Sequence, residues 1–187
     1  ISHMSVFEAL PVRRFAHQTR AYLKIQDGCN QFCTYCIIPY ARGRERSLAP
    51  DEVIQRTKEL VCNHHLEIVL TGIHTGRYGR EHHIDLTQLL ERMCHEVTGL
   101  ARIRISSIEI NEISDALIAL MRREPKIARH LHIPLQSADN DVLKAMHRPY
   151  TIEEYAKRVE EIREQLPDIS ISADVITGFP GESEAQF

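Results

Sequence analysis

The stretch Ala21-Tyr22-Leu23-Lys24-Ile25-Gln26-Asp27-Gly28-Cys29-Asn30-Gln31-Phe32-Cys33-Thr34-Tyr35-Cys36 joins a strand pattern directly to a loop rich in cysteine. Apolar and polar residues alternate from Ala21 to Gln26, and this period of two indicates a β-strand. The cysteines after the strand are spaced C-x3-C-x2-C. Three thiolates from one loop can hold three corners of a [4Fe-4S] cluster and leave the fourth iron without a protein ligand. The sequence therefore predicts Cys29, Cys33 and Cys36 as the metal ligands of a catalytic cluster.

Strand and helix patterns alternate along the rest of the chain. Further strands are predicted at 66–70, 103–106, 130–135 and 169–176, and helices at about 50–62, 86–97, from Ser114 onward, 139–146 and 151–166. Strands separated by helical crossovers pair in parallel through right-handed connections. An eight-fold barrel needs about 250 residues. We therefore expect an α/β fold, a partial, open (β/α)6-type TIM-like barrel truncated after about the fifth strand. Functional residues are expected at the carboxyl ends of the strands.

The beginning of the chain carries no sustained periodicity. Ile1-Ser2-His3-Met4 looks like the remnant of an expression tag, and residues 5–18 look like a linker. We expect residues 1–18 to be tag remnant and linker. Residues 19–187 are then expected to form one core domain, incomplete at its C-terminus.

The composition is that of a globular protein, with 43% hydrophobic and 26% charged residues in a chain of 187. No apolar run approaches the roughly 18 residues of a membrane span, and no signal-peptide pattern is present. We therefore expect a cytoplasmic location and no membrane partner. The formal net charge of −3 gives no overall attraction for nucleic acid, so any contact with RNA must be local.

The cysteine count of five is odd, which favours a metal or redox site in a reducing compartment over a disulfide framework. Cys62 and Cys94 lie on helical patterns and are expected to be buried or incidental thiols. The alternative is a structural zinc site with Cys62 as fourth ligand, in a non-catalytic binding module. Structural zinc sites usually pair two close dyads, whereas Cys62 lies 26 residues beyond Cys36 and after a whole helix. The cluster is therefore favoured.

The cysteine spacing, with the aromatic Tyr35 before the last cysteine in the first loop of such a barrel, resembles the radical S-adenosylmethionine superfamily. The resemblance implies a [4Fe-4S] cluster whose unique iron chelates S-adenosylmethionine and reduces it. A 5′-deoxyadenosyl radical is then released and abstracts hydrogen from the substrate. The cofactor carries the chemistry, and the protein supplies placement and shielding.

Flanking segments narrow the resemblance to the methylthiotransferases. They are the segments Ile37–Ser47, His132–Ser137 and Asp174–Glu182. The segment Leu70–Gly79 is similar to the branch that modifies threonylcarbamoyladenosine beside the tRNA anticodon. The isopentenyladenosine and ribosomal-protein branches usually carry Gln in place of the Ile73-His74 pair. A ribosomal-protein aspartate methylthiotransferase remains the alternative.

The same resemblance implies partners and further domains. Expected partners are tRNA, a reducing electron donor such as flavodoxin or ferredoxin, and a sulfur donor. A family member also carries an N-terminal domain with a second [4Fe-4S] cluster and a C-terminal domain that binds tRNA. We therefore expect this chain to hold one cluster and not to complete sulfur insertion alone.

Residues near the expected strand ends are candidates for the cofactor and the substrate. The cofactor candidates are Tyr35, Thr71, Gly72, Ser107, Glu109, Gln136, Ile176 and Gly178. By resemblance, Thr71 and Gly72 face the methionine part of S-adenosylmethionine, and Ile176 and Gly178 line its adenine. The substrate candidates are Arg42, Arg44, Arg46 and His74, because guanidinium groups suit phosphate contacts. Turn, core and solvated-charge roles are the alternatives at these positions.

Overall fold

The computed structural model describes Phe7 and residues 18–187. Residues 1–6 and 8–17 lie outside the described residues, so the interpretation of residues 1–18 as tag remnant and linker stays a prediction. Phe7 packs against the hydrophobic core. The ammonium group of Lys24 lies 5.1 Å from the centre of its ring.

Thirteen strands and helices follow one another in the described residues, in the order expected for an α/β protein. The strands are β1 (Arg20–Lys24), β2 (Gln26–Asp27), β3 (Arg46–Ser47), β4 (Glu67–Thr71), β5 (Arg102–Ile105), β6 (His130–His132) and β7 (Ser170–Ser172). The helices are α1 (Ile38–Arg42), α2 (Pro50–Cys62), α3 (Leu86–Glu96), α4 (Asp115–Arg123), α5 (Asn140–Ala145) and α6 (Ile152–Gln165).

The long strands pair in parallel and in chain order. Strand β4 lies between β1 and β5, with Leu70 opposite both Leu23 and Ile105. A parallel bridge between Ile103 and Ile127 continues from β5 towards β6, and β6 pairs in parallel with β7. The order β1-β4-β5-β6-β7 is that of an open, partial barrel. The predicted fold class is confirmed.

Helical periodicity buries one face of each crossover helix against this sheet. In α3 the residues Leu86, Leu89, Leu90 and Met93 are buried, at the spacing of one helix face. Its N-cap Asp85 forms a capping box with Gln88. In β1, Ala21 and Leu23 are buried while Tyr22 is exposed, as a period of two requires. No helix in the described ranges has both the length and the apolar character that a membrane crossing needs.

The structure differs from the sequence prediction in the cysteine loop and in the last two strands. Strands β2 and β3 form a short antiparallel ribbon, with Asp27 opposite Arg46, that closes the loop at its base. Helix α1 lies within the same loop. Two-residue strands carry too short a pattern to be recognised by periodicity. Strands β6 and β7 are shorter than predicted, although pairing resumes at a bridge between Gln136 and Val175.

The capping box at the N-terminus of helix α6 can be tested by mutation. Thr151 accepts a hydrogen bond from the backbone N–H of Glu154, whose side chain accepts one from the N–H of Thr151. We expect Thr151→Ala to lower the free energy of unfolding by about 1 kcal/mol, because a helix donor loses its partner. Chemical denaturation measures this change. Thr98→Ala, in an exposed turn, is the control and should change stability by less than about 0.5 kcal/mol.

Candidate active site

A buried carboxylate anchors the cysteine loop. Asp27 is 2% exposed, and its Oδ2 accepts hydrogen bonds from Arg46 Nη2 at 2.8 Å and Lys24 Nζ at 2.9 Å. Its Oδ1 accepts from the N–H of Gly28 at 2.9 Å. Burial raises the pKa of Asp27, but the partners Lys24, Gly28 and Arg46 outweigh it, so the pKa lies below its ordinary value. The carboxylate is therefore charged and fully engaged at neutral pH.

The arginine run after the cysteines requires a correction. Arg46 is buried, pairs with Asp27, and donates from Nη1 to the carbonyls of Arg42 and Arg44. Its guanidinium closes the loop, and the expectation that it contacts substrate is wrong for that reason. Arg42 and Arg44 are exposed. Their contact with substrate stays a prediction.

Gly28 allows the loop to turn sharply before the first cysteine. Its φ is +74°, and a Cβ on it would lie 2.0 Å from the carbonyl oxygen of Arg44. The backbone N–H of Cys29 donates to the carbonyl of Gly43 at 3.1 Å. The two ends of the loop therefore touch through backbone atoms, at a place where only glycine fits.

Gln26 connects the cysteine loop to the loop that follows β4. Its Nε2 donates to the carbonyls of Asp27 and Gly28, and its Oε1 accepts from the N–H of His74 at 2.6 Å. Gly72 packs closely on the same side chain, because a Cβ there would lie 2.9 Å from Gln26 Cβ. Gln26 is buried and fixes the position of His74 relative to Cys29.

The first cysteine faces a buried histidine. Nδ1 of His74 lies 3.4 Å from Sγ of Cys29, and Nε2 lies 2.8 Å from Oε1 of Glu112. Burial lowers the pKa of His74, but the contacts with Cys29 and Glu112 outweigh it and raise the pKa to about 9. An imidazolium suits this position, because Nδ1 faces the sulfur and Nε2 lies at ion-pair distance from the carboxylate, although the Nε2 contact lacks hydrogen-bond geometry. His74 is 5% exposed, so the structure places it behind Cys29, and its predicted contact with substrate gains no support.

The second cysteine faces a buried arginine that the sequence reasoning missed. Nη1 of Arg148 lies 3.5 Å from Sγ of Cys33 and 3.4 Å from the hydroxyl of Tyr35. Nη2 forms an ion pair with Glu109, and Nε donates to the Tyr150 hydroxyl at 3.1 Å. Burial raises the pKa of the Cys33 thiol, while Arg148 acts in the opposite direction. The only sequence signal was an arginine in the short loop between two helical patterns.

The third cysteine lies in a turn that is docked on a distant segment. The N–H of Cys36 donates to the carbonyl of Cys33 at 3.0 Å. Thr34 lies between these two cysteines. Its hydroxyl donates to the carbonyl of Ala145 at 2.9 Å, and its N–H donates to the carbonyl of Met146 at 3.3 Å. The end of α5 therefore holds the Cys33–Cys36 turn in place.

The other candidate residues lie at or just after the carboxyl ends of strands. Thr71 ends β4, Ser107 follows β5, and Gln136 follows β6, where its φ is +70°. The carbonyl of Gln136 accepts from the N–H of Ile176, and the N–H of Gly178 donates to Glu182. A Cβ on Gly178 would meet nothing within 4 Å. Their contacts with a cofactor stay predictions.

These residues fit a [4Fe-4S] cluster and its cofactor. Cys29, Cys33 and Cys36 are free thiols on one loop, and two of them have a cationic side chain that can balance thiolate charge. Within the described part of the chain, the buried oxygen atoms Ser106 Oγ and Glu112 Oε2 have no hydrogen-bond partner. Ser106 directly follows β5, and a buried polar atom without a partner at the end of a strand is typical of a ligand site.

The thiol proposed for a structural zinc site lies elsewhere. Cys62 is exposed at the C-terminal end of α2, in a surface depression lined also by Gln55, Lys58, Glu59 and Asn63. The chain enters β4 after this helix, so Cys62 lies at the amino edge of the parallel sheet, opposite the cysteine loop. Cys94 is buried in α3. Neither Cys62 nor Cys94 is therefore placed to act as a fourth metal ligand beside the three loop cysteines.

Replacement of Gly28 tests whether the close turn is required for the cluster. We expect Gly28→Ala to abolish retention of a reconstituted cluster, because its Cβ collides with backbone atoms of Arg44 that cannot move separately. Absorbance and iron content after anaerobic reconstitution measure retention. Gly99→Ala is the matched control, since Gly99 also has a positive φ but meets only a Val61 methyl at 3.2 Å. That change should cost about 1–2 kcal/mol of stability and leave the cluster intact.

Solved structures share this fold at low sequence identity. A radical S-adenosylmethionine methyltransferase, TsrM, from Kitasatospora setae has a TM-score of 0.71 at 18% identity, covering 89% of this chain and 32% of that chain. A cobalamin-dependent S-adenosylmethionine radical enzyme, OxsB, has a TM-score of 0.64 at 13% identity, covering 83% of this chain and 23% of that chain. These likenesses show the fold.

Curated proteins match the sequence more closely. A Bacillus subtilis (strain 168) protein named threonylcarbamoyladenosine tRNA methylthiotransferase MtaB is 51% identical over 183 residues, 97% of this chain and 41% of that protein. A Thermoanaerobacter sp. (strain X514) protein named tRNA-2-methylthio-N(6)-dimethylallyladenosine synthase is 43% identical over 185 residues, 98% of this chain and 39% of that protein. The chain thus spans about two fifths of these relatives. The sequence profile of the Radical SAM superfamily matches residues 23–187, and the chain therefore belongs to that superfamily.

Proposed function

We propose that this domain reductively cleaves S-adenosylmethionine to support methylthiolation of N6-threonylcarbamoyladenosine in tRNA. The observation that carries the proposal is the 51% identity to a relative named for that modification, against 43% to one named for dimethylallyladenosine. The segment Leu70–Gly79, which contains His74, is similar to the threonylcarbamoyladenosine branch. The whole reaction belongs to a longer protein, since the chain spans about two fifths of these relatives.

The superfamily's cofactors are a [4Fe-4S] cluster and S-adenosylmethionine. When bound, they supply a carbon-centred radical that takes hydrogen from the substrate. In this chain Cys29, Cys33 and Cys36 hold the cluster. His74 and Arg148 are placed to donate hydrogen bonds to the sulfurs of Cys29 and Cys33, and such bonds help to set the potential of a cluster.

The strand ends supply the remaining contacts with the cofactor. Tyr35, whose hydroxyl contacts Arg148, shields the cluster from water. Thr71, Gly72, Ser107, Glu109 and Gln136 would contact the methionine and ribose groups of a bound cofactor, and Ile176 and Gly178 would contact its adenine.

A local surface supports contact with RNA. Arg42 and Arg44 are exposed in the same loop as Phe32 and Tyr40, two exposed residues whose rings meet edge to face with centres 5.6 Å apart. Arginines can bind phosphates while exposed aromatic rings stack on unpaired bases. A patch of this kind provides local attraction in a chain whose net charge is −3. We further propose a cytoplasmic location, with an electron donor such as flavodoxin or ferredoxin and a separate sulfur donor.

The ligand assignment predicts unequal effects of two cysteine replacements. Cys33→Ala should abolish cluster retention, because it removes one of three protein ligands, whereas Cys62→Ala should retain the cluster. Anaerobic reconstitution followed by iron and sulfide analysis measures about four irons per chain when one [4Fe-4S] cluster is present. Equal loss in both variants would contradict the assignment. One tight zinc ion without any cluster would favour a non-catalytic module.

The substrate assignment is tested on cellular RNA. In cells that lack the gene, the methylthiolated form of threonylcarbamoyladenosine should disappear from tRNA, and it should return with the full-length gene but not with its Cys29→Ala variant. Mass spectrometry of tRNA nucleosides provides the measurement. Loss of methylthiolated dimethylallyladenosine instead would move the assignment to that branch. Unchanged nucleosides with loss of a ribosomal-protein modification would favour an aspartate as substrate.

A further inference from the structure

We propose that Cys29, Glu45 and His74 form a site for a single zinc ion in the cluster-free protein, and that zinc and the cluster compete for Cys29. In the described part of the chain, these three residues form the one group of three or more His, Cys, Asp or Glu side chains whose ligand atoms lie within 4.8 Å of one another. The zinc site rests on this geometry alone. The competition also rests on the proposed role of Cys29 in binding the cluster.

The distance between Cys29 and His74 matches the size of a zinc ion, and the carboxylate of Glu45 must move a few tenths of an ångström closer to complete the group. Sγ of Cys29 lies 3.4 Å from Nδ1 of His74, and Oε1 of Glu45 lies 3.9 Å from the same nitrogen. Bond lengths of about 2.3 Å to sulfur and 2.0 Å to nitrogen, at a tetrahedral angle, place those two ligand atoms about 3.5 Å apart. Sulfur, imidazole nitrogen and carboxylate oxygen are the ligands of zinc. Water completes a fourth position.

The residues behind His74 complete the arrangement. Nε2 of His74 lies 2.8 Å from Glu112, which leaves Nδ1 directed at Cys29. A carboxylate behind a histidine is the usual support for a zinc ligand. Gln26 fixes the backbone of His74 through a 2.6 Å hydrogen bond. The histidine therefore has its orientation before any metal arrives.

The charges around the group favour a cation. Cys29 as a thiolate, Glu45 and Glu112 bring three negative charges, and Arg77 opposes them at 3.2 Å from Glu45 and 2.8 Å from Glu112. Zinc displaces the proton from Nδ1 of His74 when it binds, and the three acidic groups then exceed the one arginine in charge. Glu45 also accepts from the N–H of Asn30 at 3.3 Å, so its carboxylate is already directed at the loop of Cys29.

The zinc site and the cluster site share only one ligand. Cys33 contacts Arg148, a cation that opposes a second metal charge at that sulfur in the cluster-free chain. Neither Cys33 nor Cys36 belongs to the group around His74. A zinc ion bound to Cys29 occupies one of the three thiolates that a cluster needs as ligands. Zinc is therefore expected to hold the protein in a form that does not accept a cluster.

The experiment compares zinc affinity and cluster uptake across variants of the full chain. The protein is purified anaerobically without cluster and titrated with Zn²⁺ against a chromophoric chelator. We expect one equivalent of zinc, with affinity lowered at least about 100-fold by His74→Ala and about 10–100-fold by Glu112→Ala, which removes the support of the ligand. Glu45→Gln, on a half-buried side chain, should also weaken binding. Cys33→Ala should retain the zinc affinity within about twofold.

Cluster reconstitution supplies the second readout. One equivalent of Zn²⁺ added first should block iron uptake by the unmodified chain and should not block it in His74→Ala, while Cys33→Ala should take up no cluster at all. Cys62→Ala is the control for zinc on the exposed thiol and should behave like the unmodified chain. Circular dichroism confirms that each variant is folded.

Three results would overturn the zinc site: unchanged affinity in both His74→Ala and Glu45→Gln, equal loss of affinity in Cys33→Ala, or loss in Cys62→Ala alone. Full iron uptake in the presence of bound zinc would overturn the competition. A chain that binds zinc through His74 but accepts no cluster under any condition would leave the zinc site standing and contradict the proposed function. The two failures are thus distinguishable.

Discussion

The ion pair between Asp27 and Arg46 is the interaction on which the site depends. It joins the two strands at the base of the cysteine loop, and the same guanidinium holds the carbonyls of Arg42 and Arg44. Removing one member of such a buried pair leaves an uncompensated charge, at a cost of about 3–5 kcal/mol. Gly28 and Arg44 approach each other closely at this same base of the loop. The position of Cys29 therefore depends on the carboxylate of Asp27, two residues earlier in the chain.

Two cysteines have the same kind of support from different parts of the chain. Cys29 faces His74, which is backed by Glu112, and Cys33 faces Arg148, which is backed by Glu109. In each case a cation approaches the sulfur and a carboxylate fixes that cation. Donors aimed at a thiolate stabilise its charged form, and the carboxylate behind limits the net charge added at the site. The repetition suggests a common electrostatic requirement of the loop.

The sequence predicted the barrel and the three cysteines but not how the cysteines are held. Alternating apolar residues in β1 and helical spacing in α3 depend on local periodicity, which is readable without coordinates. The pair Asp27–Arg46 spans 19 positions and the pair Cys33–Arg148 spans 115, and polar contacts at such separations leave no periodic signal. The expectation that Arg46 contacts substrate was wrong, because its partner is a buried carboxylate 19 positions earlier.

The docking of Thr34 on Ala145 has a consequence for the timing of biosynthesis. The two residues are 111 positions apart, and Arg148 lies further still from Cys33. Ribosomes add roughly 5–20 residues per second and domains fold as units. The cysteines therefore leave the ribosome many seconds before the segment that orders them. Iron and sulfide that reached the nascent chain would find the cysteine loop not yet folded. We therefore expect the cluster to be inserted only after the segment that contains Ala145 and Arg148 has been synthesised.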